Sequence, residues 1–221
     1  MASAQILGID EAGRGSVLGP LVVGGFLVPR DRIDRVAEAG AADSKTLSPS
    51  RREEVYAALT RLGACRSVAL GPRTIDRHVR QGRLNELEAI AFARLVRATG
   101  PDLAHVDACD VNADRFGTRV AALAGGNVNV VARHHADRDD PVVGAASIVA
   151  KVRRDRAVAA LARRLGTEVG SGYPSDARTI AFLRARLART SSVPAYVRAS
   201  WATMKRVKPD RPARSLETYE P

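Results

Sequence analysis

Short apolar runs recur through the first 132 residues of the chain, and they predict five β-strands. The second run, Leu-Val-Val-Gly-Gly-Phe-Leu-Val, is apolar along its whole length and is typical of a central strand buried on both faces. The third is weaker and the fourth is short. The predicted strands are Gln5–Ile9, Leu21–Val28, Ala64–Leu70, Leu103–Asp107 and Asn127–Ala132.

Helical periodicity and capping residues predict the helices between these strands. Apolar positions from Leu84 to Leu95 fall on one face of a helix that should end near Thr99. Ser48 and Asp140 each precede a proline, which is the pattern of an N-cap followed by proline at the first helical position. These two caps predict helices 49–62 and 141–165, and Asn112 is the predicted cap of a helix at 113–124.

The pattern changes after Gly166, where we find no further strand. Two helices are predicted there, at 178–189 and 194–204, and the last residues are rich in Pro, Arg and Asp. The sequence therefore predicts an α/β domain over 1–165, a helical C-terminal portion over 166–207 and a flexible tail over 208–221. The order of the strands in the sheet does not follow from the sequence.

The chain of 221 residues is basic, with 35 Lys and Arg against 24 Asp and Glu and a formal net charge of +11. This excess suits a polyanionic partner such as nucleic acid, although an arginine-rich proteome would produce it equally well. Two distant cysteines, Cys65 and Cys109, form neither a CxxC motif nor a disulfide framework. We see no secretion signal and no apolar run near the ~20 residues that span a bilayer. We expect a cytoplasmic protein without a membrane partner.

Four acidic residues stand at or just beyond the ends of predicted strands. Asp10 and Glu11 follow the first strand, Asp107 ends the fourth and Asp137 follows the fifth. If the sheet brings these ends together, their carboxylate oxygens would suit hard cations such as Mg²⁺ or Mn²⁺. Two such ions would orient a water molecule and stabilise the leaving oxygen of a phosphodiester. The alternative is that the acids are solvated strand-end residues, which is common.

The residues Gly13, Arg14 and Gly15 follow the first acids at once. Glycine lets the backbone approach a ligand closely, and arginine suits a phosphate, so acids for a metal beside such a loop indicate phosphodiester chemistry. Ser147 and Lys151 lie four residues apart on one predicted helix, so both could contact a phosphate. For these residues the alternatives are close packing for the serine and a solvated charge for the lysine.

Two loops carry further candidates. Lys45 lies in the predicted loop Asp43–Leu47, where its alternative role is a solvated charge. Tyr173 is presented by a Gly-Ser-Gly-Tyr-Pro loop, where it could stack on a sugar or base or cover the core instead. The adjacent His134 and His135 do not face each other in regular structure, so a zinc site is not expected.

Taken together, these motifs resemble the ribonuclease HII family over about residues 6–201. The tyrosine loop and Ser200-Trp201 resemble the archaeal branch most. Any one motif is weakly specific, but five in order are very specific. The matching segments are Asp10-Glu11-Ala12-Gly13-Arg14-Gly15, Asp43-Ser44-Lys45, Val106-Asp107, His135-Ala136-Asp137 with the following Ala145–Val152 helix, and Gly170–Asp176.

The resemblance implies a ribonuclease H-like fold, in which helices flank a mixed five-stranded sheet. It implies a metal-dependent endonuclease that cuts the RNA strand of RNA–DNA hybrids and nicks DNA 5′ of an embedded ribonucleotide, leaving 3′-hydroxyl and 5′-phosphate ends. The metal would be Mg²⁺ or Mn²⁺ at a two-metal site. We expect a monomer.

Roles follow from the resemblance residue by residue. The four acids become the catalytic metal ligands, the Gly13–Gly15 backbone and Tyr173 become the readers of the RNA-to-DNA junction, and Ser147 and Lys151 become backbone contacts. His135 stands where many relatives have lysine, and the C-terminus shows no glutamine-plus-aromatic motif, so a sliding-clamp partner is not expected.

Two other hypotheses stay open at this point. One is another nuclease of the same fold, such as a junction resolvase or an integrase-like enzyme, which would share the acids but lack the tyrosine loop. The other is a non-catalytic nucleic-acid-binding protein that uses the positive charge alone, against which the four intact acids argue.

Overall fold

Five strands form one mixed sheet in the computed structural model, which describes residues 3–41, 47–190 and 192–207. The strand order is β3-β2-β1-β4-β5; β2 is antiparallel to both of its neighbours, whereas β1, β4 and β5 run parallel. The strands are β1 Gln5–Ala12, β2 Leu21–Pro29, β3 Ala64–Leu70, β4 Leu103–Asp107 and β5 Asn129–Arg133. The five predicted strands are confirmed, while Lys45 and the predicted tail 208–221 lie outside the described residues.

The first strand is longer than its apolar run predicts. Pairing with β2 continues to Ala12, opposite Val22, so Asp10 and Glu11 belong to the strand itself. A polar residue can continue a strand when its backbone is paired, because the ladder of hydrogen bonds does not depend on the side chain. The two acids therefore point to opposite faces of the sheet.

Nine α-helices are assigned within the described residues. They are α1 Ile33–Glu38, α2 Pro49–Leu62, α3 Pro72–Arg80, α4 Leu84–Thr99, α5 Ala113–Ala124, α6 Ala136–Asp139, α7 Pro141–Leu165, α8 Ala177–Ala188 and α9 Thr203–Val207. The caps predicted at Ser48, Asn112 and Asp140 are confirmed, since each side chain accepts a backbone N–H of the first turn. The short helices α1, α3 and α6 were not predicted, because none is long enough to show a repeating apolar stripe.

The helix predicted at 194–204 is wrong over most of its length. Only Thr203–Val207 is helical, and Val197 instead forms a β-bridge with Leu18. The neighbouring Arg198 N–H donates to the Val17 carbonyl at 2.9 Å. The backbone groups that a helix would use are thus engaged by a distant loop, which local periodicity does not reveal.

Helix α7 crosses one face of the sheet, and α4 and α5 cover the other. The approach of α7 is unusually close: a Cβ on Gly24 would lie 2.5 Å from the Ala146 carbonyl oxygen, and one on Gly8 would lie 2.1 Å from that of Val142. Glycine at these strand positions therefore lets α7 rest on the backbone of the sheet. A third apolar cluster joins the end of α7 to α8, α9 and the loop after β1.

Within the parts of the chain that the structure describes, no helix combines the length and apolar character that crossing a membrane requires.

Candidate active site

Three aspartates meet at the edge of the sheet where β1 and β4 end. Asp10 comes from β1, Asp107 is the last residue of β4, and Asp137 lies in α6. Carboxylate oxygens from the three lie within 4.8 Å of one another, and among the described residues these acids form the group that could hold a metal ion. An all-oxygen donor set of this kind fits a hard divalent cation.

Asp137 reaches this edge through a tight turn after β5. His135, just before α6, adopts a left-handed conformation with φ 59°, which is uncommon for any residue but glycine, although histidine is among the exceptions. The next N–H, of Ala136, donates to Asp107 Oδ1 at 3.1 Å. The turn therefore ties α6 to the end of β4, and Asp137 is 3% exposed beside Asp107.

Burial makes the ionised form of Asp10 unfavourable. Desolvation raises the pKa of Asp10 to about 6, with the charge of Asp107 as the next largest cause, while a hydrogen bond from Ser147 acts in the opposite direction. A carboxylate held this way gains more than a solvated one from a bound cation, which favours its charged form. The raised pKa of Asp10 and the all-oxygen donor set therefore both favour binding of a cation.

Glu11 lies on the other face of the sheet from Asp10 and is outside the group of three acids. Desolvation, with added repulsion from Asp10 and the buried Glu88, raises the pKa of Glu11 well above its usual range. Arg14 acts in the opposite direction, and its guanidinium lies 3.3 Å from Glu88. The charge of Glu11 therefore interacts with those of Asp10 and Asp107, although Glu11 lies on the other face of β1.

The loop after β1 presents backbone and holds its arginine side chain against the protein. The Arg14 guanidinium donates to the Cys109 carbonyl at 2.7 Å and to the Asn85 side chain at 2.6 Å. Beside it, a Cβ on Gly15 would meet no atom within 4 Å, so the backbone there is open to an incoming ligand. The position of this loop suits recognition through amides and carbonyls more than through the guanidinium.

Ser147 and Lys151 lie behind Asp10 on α7. Ser147 is 0% exposed, its hydroxyl bonds to Asp10, and Lys151 Nζ donates to Ser147 Oγ at 2.8 Å. The sequence suggested that both residues share a surface facing a phosphate. The structure instead places the serine in a chain of hydrogen bonds that leads from the lysine to the carboxylate.

Tyr173 lies at the edge of the same region, in the loop between α7 and α8. The Arg154 guanidinium stacks on its ring, 4.2 Å from the ring centre. The preceding Gly172 carbonyl accepts the N–H groups of Val17 and Leu18 at 2.9 and 3.2 Å. The tyrosine loop is therefore bonded directly to the loop that follows Gly15.

Sequence reasoning missed two buried arginines that hold these loops. Arg154 is 3% exposed and bridges the two loops, whereas Arg198 is fully buried and donates to the carbonyls of Arg14 and Gly19 at 2.9 and 3.2 Å. Arg198 also stacks on Trp201, and burial lowers the pKa of Arg198 to about 10. Because the chain has so many arginines, the sequence does not distinguish the buried ones. The one signal was the Ser200-Trp201 motif, which lies near Arg198.

Comparison with known proteins assigns the family. The family model described as Ribonuclease HII matches residues 7–204. A curated ribonuclease HII from Methanocella arvoryzae is 42% identical, over 94% of this chain and 93% of its own length.

Solved structures agree with this assignment. A Pyrococcus horikoshii structure titled ribonuclease H2 matches with a TM-score of 0.84 and 37% identity, covering 92% of this chain and 97% of that one. A structure titled as the PCNA:RNase HII complex from Archaeoglobus fulgidus matches with a TM-score of 0.83 and 36% identity, covering 91% and 96%. Together with the sheet topology and the acidic edge, these matches confirm the ribonuclease H-like fold and show that the chain belongs to the ribonuclease HII family of type 2 ribonuclease H endonucleases, which act on RNA–DNA hybrids.

Proposed function

We propose that this chain is a divalent-metal-dependent endonuclease that cuts the RNA strand of RNA–DNA hybrids and also nicks duplex DNA on the 5′ side of an embedded ribonucleotide. The products would carry 3′-hydroxyl and 5′-phosphate ends. The observation that carries the proposal is the group of three aspartates, two of them buried, within 4.8 Å of one another, on a sheet whose first strand leads into the Gly13–Gly15 loop.

The acids would hold Mg²⁺ or Mn²⁺, with Asp10, Asp107 and Asp137 as ligands and Glu11 at the rim. When bound, such ions supply an activated water and neutralise charge on the scissile phosphate. Ser147 would fix the orientation of Asp10, since its hydroxyl bonds that carboxylate and is itself held by Lys151. The Ala136 N–H would do the same for Asp107.

Two groups would select the cleavage position. A ribonucleotide differs from a deoxyribonucleotide by its 2′-hydroxyl, which is both a donor and an acceptor. The backbone of the Gly13–Gly15 loop, which is open at Gly15, would bond this hydroxyl directly. The ring of Tyr173 would pack on the next sugar, where a 2′-hydroxyl would hold it away, so the pair reads an RNA-to-DNA step.

The cation requirement and the substrate are tested together on labelled duplexes. One duplex carries a single ribonucleotide in DNA, a second carries an RNA tract opposite DNA, and a third is all DNA. With Mg²⁺ or Mn²⁺ we expect cleavage of the first two and none of the third, and a chelator should stop all cleavage. Polymerase extension from the nick would detect the 3′-hydroxyl.

Two results would contradict the proposal. Cutting of the all-DNA duplex would favour a junction resolvase or an integrase-like enzyme of the same fold. Binding of all three duplexes without any cleavage, with either ion, would favour a non-catalytic nucleic-acid-binding protein.

A sliding clamp is not part of this proposal. The Archaeoglobus fulgidus relative was solved in complex with PCNA, and the present sequence has no glutamine after Gln81 from which a glutamine-plus-aromatic motif could be built.

A further inference from the structure

Arg154 lies midway along α7, and its guanidinium sits between the two loops that border the acids. Its Nη2 donates to Ser16 Oγ at 3.0 Å, in the loop after β1, and to the Ser171 carbonyl at 2.6 Å, in the tyrosine loop. The guanidinium carbon lies over the ring of Tyr173, 4.2 Å from the ring centre. One buried side chain therefore contacts both loops and the tyrosine at once.

Glycines on both sides bring the loops onto this guanidinium. A Cβ on Gly13 would lie 2.7 Å from Arg154 Nε, and one on Gly172 would lie 2.9 Å from Nη2. Both glycines also have positive φ, 85° and 83°, which other residues rarely adopt. The two loops thus depend on glycine to reach Arg154, and the arginine fills the space that remains between them.

The hydrogen bonds among the loops make this a single unit. Ser16 Oγ lies 2.8 Å from the Gly172 carbonyl oxygen, and the Val17 N–H donates to the same oxygen at 2.9 Å. Arg154 donates to both loops and so joins them to α7. Any displacement of its guanidinium would therefore move the Gly13–Gly15 backbone and Tyr173 relative to each other.

We propose that Arg154 is a positioning residue that sets the spacing between the Gly13–Gly15 backbone and the ring of Tyr173, and through it the preference for an RNA-to-DNA junction over a continuous RNA tract. This proposal rests on the proposed function, in which those two groups read successive sugars. Within an RNA tract the enzyme needs only the 2′-hydroxyl, so cleavage there depends less on the spacing.

Arginine suits this role better than lysine. The planar guanidinium can stack on a ring while its edge donates two hydrogen bonds, whereas an ammonium is a point charge that cannot do both with fixed geometry. Arg154→Lys retains the charge and most of the buried stem. It therefore removes little except the planar group that separates the two loops.

The test compares specificity constants for a single-ribonucleotide duplex and for a duplex with a long RNA tract. We expect Arg154→Lys to lower the junction-to-tract ratio by about tenfold or more, since small misplacements of binding groups cost rate steeply. Arg156→Lys is the matched control: it lies on the same helix and stacks on Tyr56 at 4.9 Å, away from the two loops. It should leave the ratio unchanged.

A double-mutant cycle separates positioning from general damage. In a Tyr173→Ala background, which lowers the ratio by itself, Arg154→Lys should have little further effect on the ratio. Independent, multiplicative effects would overturn the proposal, as would an unchanged ratio for Arg154→Lys. If Arg154→Lys fails to fold, Ser16→Ala decides, because it removes one partner of the guanidinium and should lower the ratio in the same direction.

The two proposals fail in different ways. If the unmodified protein does not nick the single-ribonucleotide duplex, the proposed function is wrong. If it nicks that duplex and both Arg154→Lys and Ser16→Ala keep the wild-type ratio, the function stands and only the role of Arg154 is wrong.

Discussion

Two regions of the molecule bury charged groups in different surroundings. One is the acidic edge, formed by Asp10, Asp107 and Asp137, and the other is the pair of loops that Arg154 and Arg198 hold. At the acidic edge, Asp10, Asp107 and Asp137 face one another, and the pKa of Asp10 rises because burial and Asp107 disfavour its charge. In the loops, the buried guanidinium of Arg198 is bonded by carbonyl oxygens and stacked on an aromatic ring. The guanidinium is therefore held by acceptors of the protein itself, whereas the acids form a group of oxygen donors that could hold a cation.

This difference separates the tasks of the two regions. A cluster of like charges costs stability until a cation binds, so it couples binding of the ion to the fold. Loops fixed by buried hydrogen bonds keep their shape whether or not a ligand is present. We expect substitutions to affect activity without loss of stability in the first region, and stability together with selectivity in the second.

The largest expected effect is on activity, from Asp107→Asn. Removing one carboxylate from the metal site should reduce cleavage by about a thousandfold or more. Stability should be maintained or should increase, because the repulsion at Asp10 falls and the asparagine oxygen can still accept the Ala136 N–H. Cleavage assays and thermal unfolding of the metal-free protein measure the two effects.

Asp114→Asn, at an exposed position of α5, is the control and should change neither property. Substantial residual cleavage by Asp107→Asn would remove this residue from the site. A marked loss of stability would show that the acids are balanced internally after all, and the contrast between the regions would disappear.

The next effect is on stability, from Arg198→Met. The substitution keeps much of the apolar volume but removes the donors to the Arg14 and Gly19 carbonyls, so we expect a loss of about 3 kcal/mol in the free energy of unfolding. Denaturant unfolding of this variant is compared with Arg184→Met on the exposed side of α8. An equal stability of the two variants would show that Arg198 does not hold the loop.

The smallest expected effect is the pH dependence of stabilisation by Mg²⁺. The pKa of Asp10 is about 6 in the folded protein against 3.8 for an unperturbed aspartate, so the folded state keeps a proton that the unfolded chain loses. Without metal, the contribution of Asp10 to stability should therefore fall as pH rises from about 4 to about 6. Above this range the ionised acids should bind Mg²⁺, which would add about 1.4 kcal/mol at ten times its Kd.

Thermal unfolding with and without Mg²⁺ at pH 5 and pH 8 measures this effect. We expect the larger stabilisation by Mg²⁺ at pH 8. The same stabilisation at both values would show that Asp10 does not titrate in this range. Asp10→Asn should reduce the pH dependence, and the raised pKa of Glu11 accounts for the part that remains.

Much of the acidic edge could be predicted because its residues lie next to strands in the sequence. Runs of apolar residues in the sequence indicated where β1 and β4 end, and the ends of parallel strands meet at one edge of a sheet. The loop and helix contacts could not be predicted in the same way. The left-handed His135 and the bridge between Leu18 and Val197 depend on partners far along the chain, and no local pattern of polarity records them.

The buried arginines show the same limit more strongly. Arginine is usually exposed, and Arg153, next to Arg154, is exposed as expected. What distinguishes Arg154 is the approach of two glycine loops, one of them more than 130 residues earlier. The family resemblance supplied the motifs that contain these loops, but only the structure shows what holds them together.

The bridge between Leu18 and Val197 also bears on how the protein is made. During synthesis, β1, β4 and α6 leave the ribosome well before the tyrosine loop and the segment around Arg198. The acids can assemble on a partial chain, but the loop after β1 gains its partners only when nearly all of the described chain is available, and such distant contacts form late. A nascent chain would thus assemble the acids before the loops that we propose select the cleavage position, and the proposed selectivity would depend on completion of the fold.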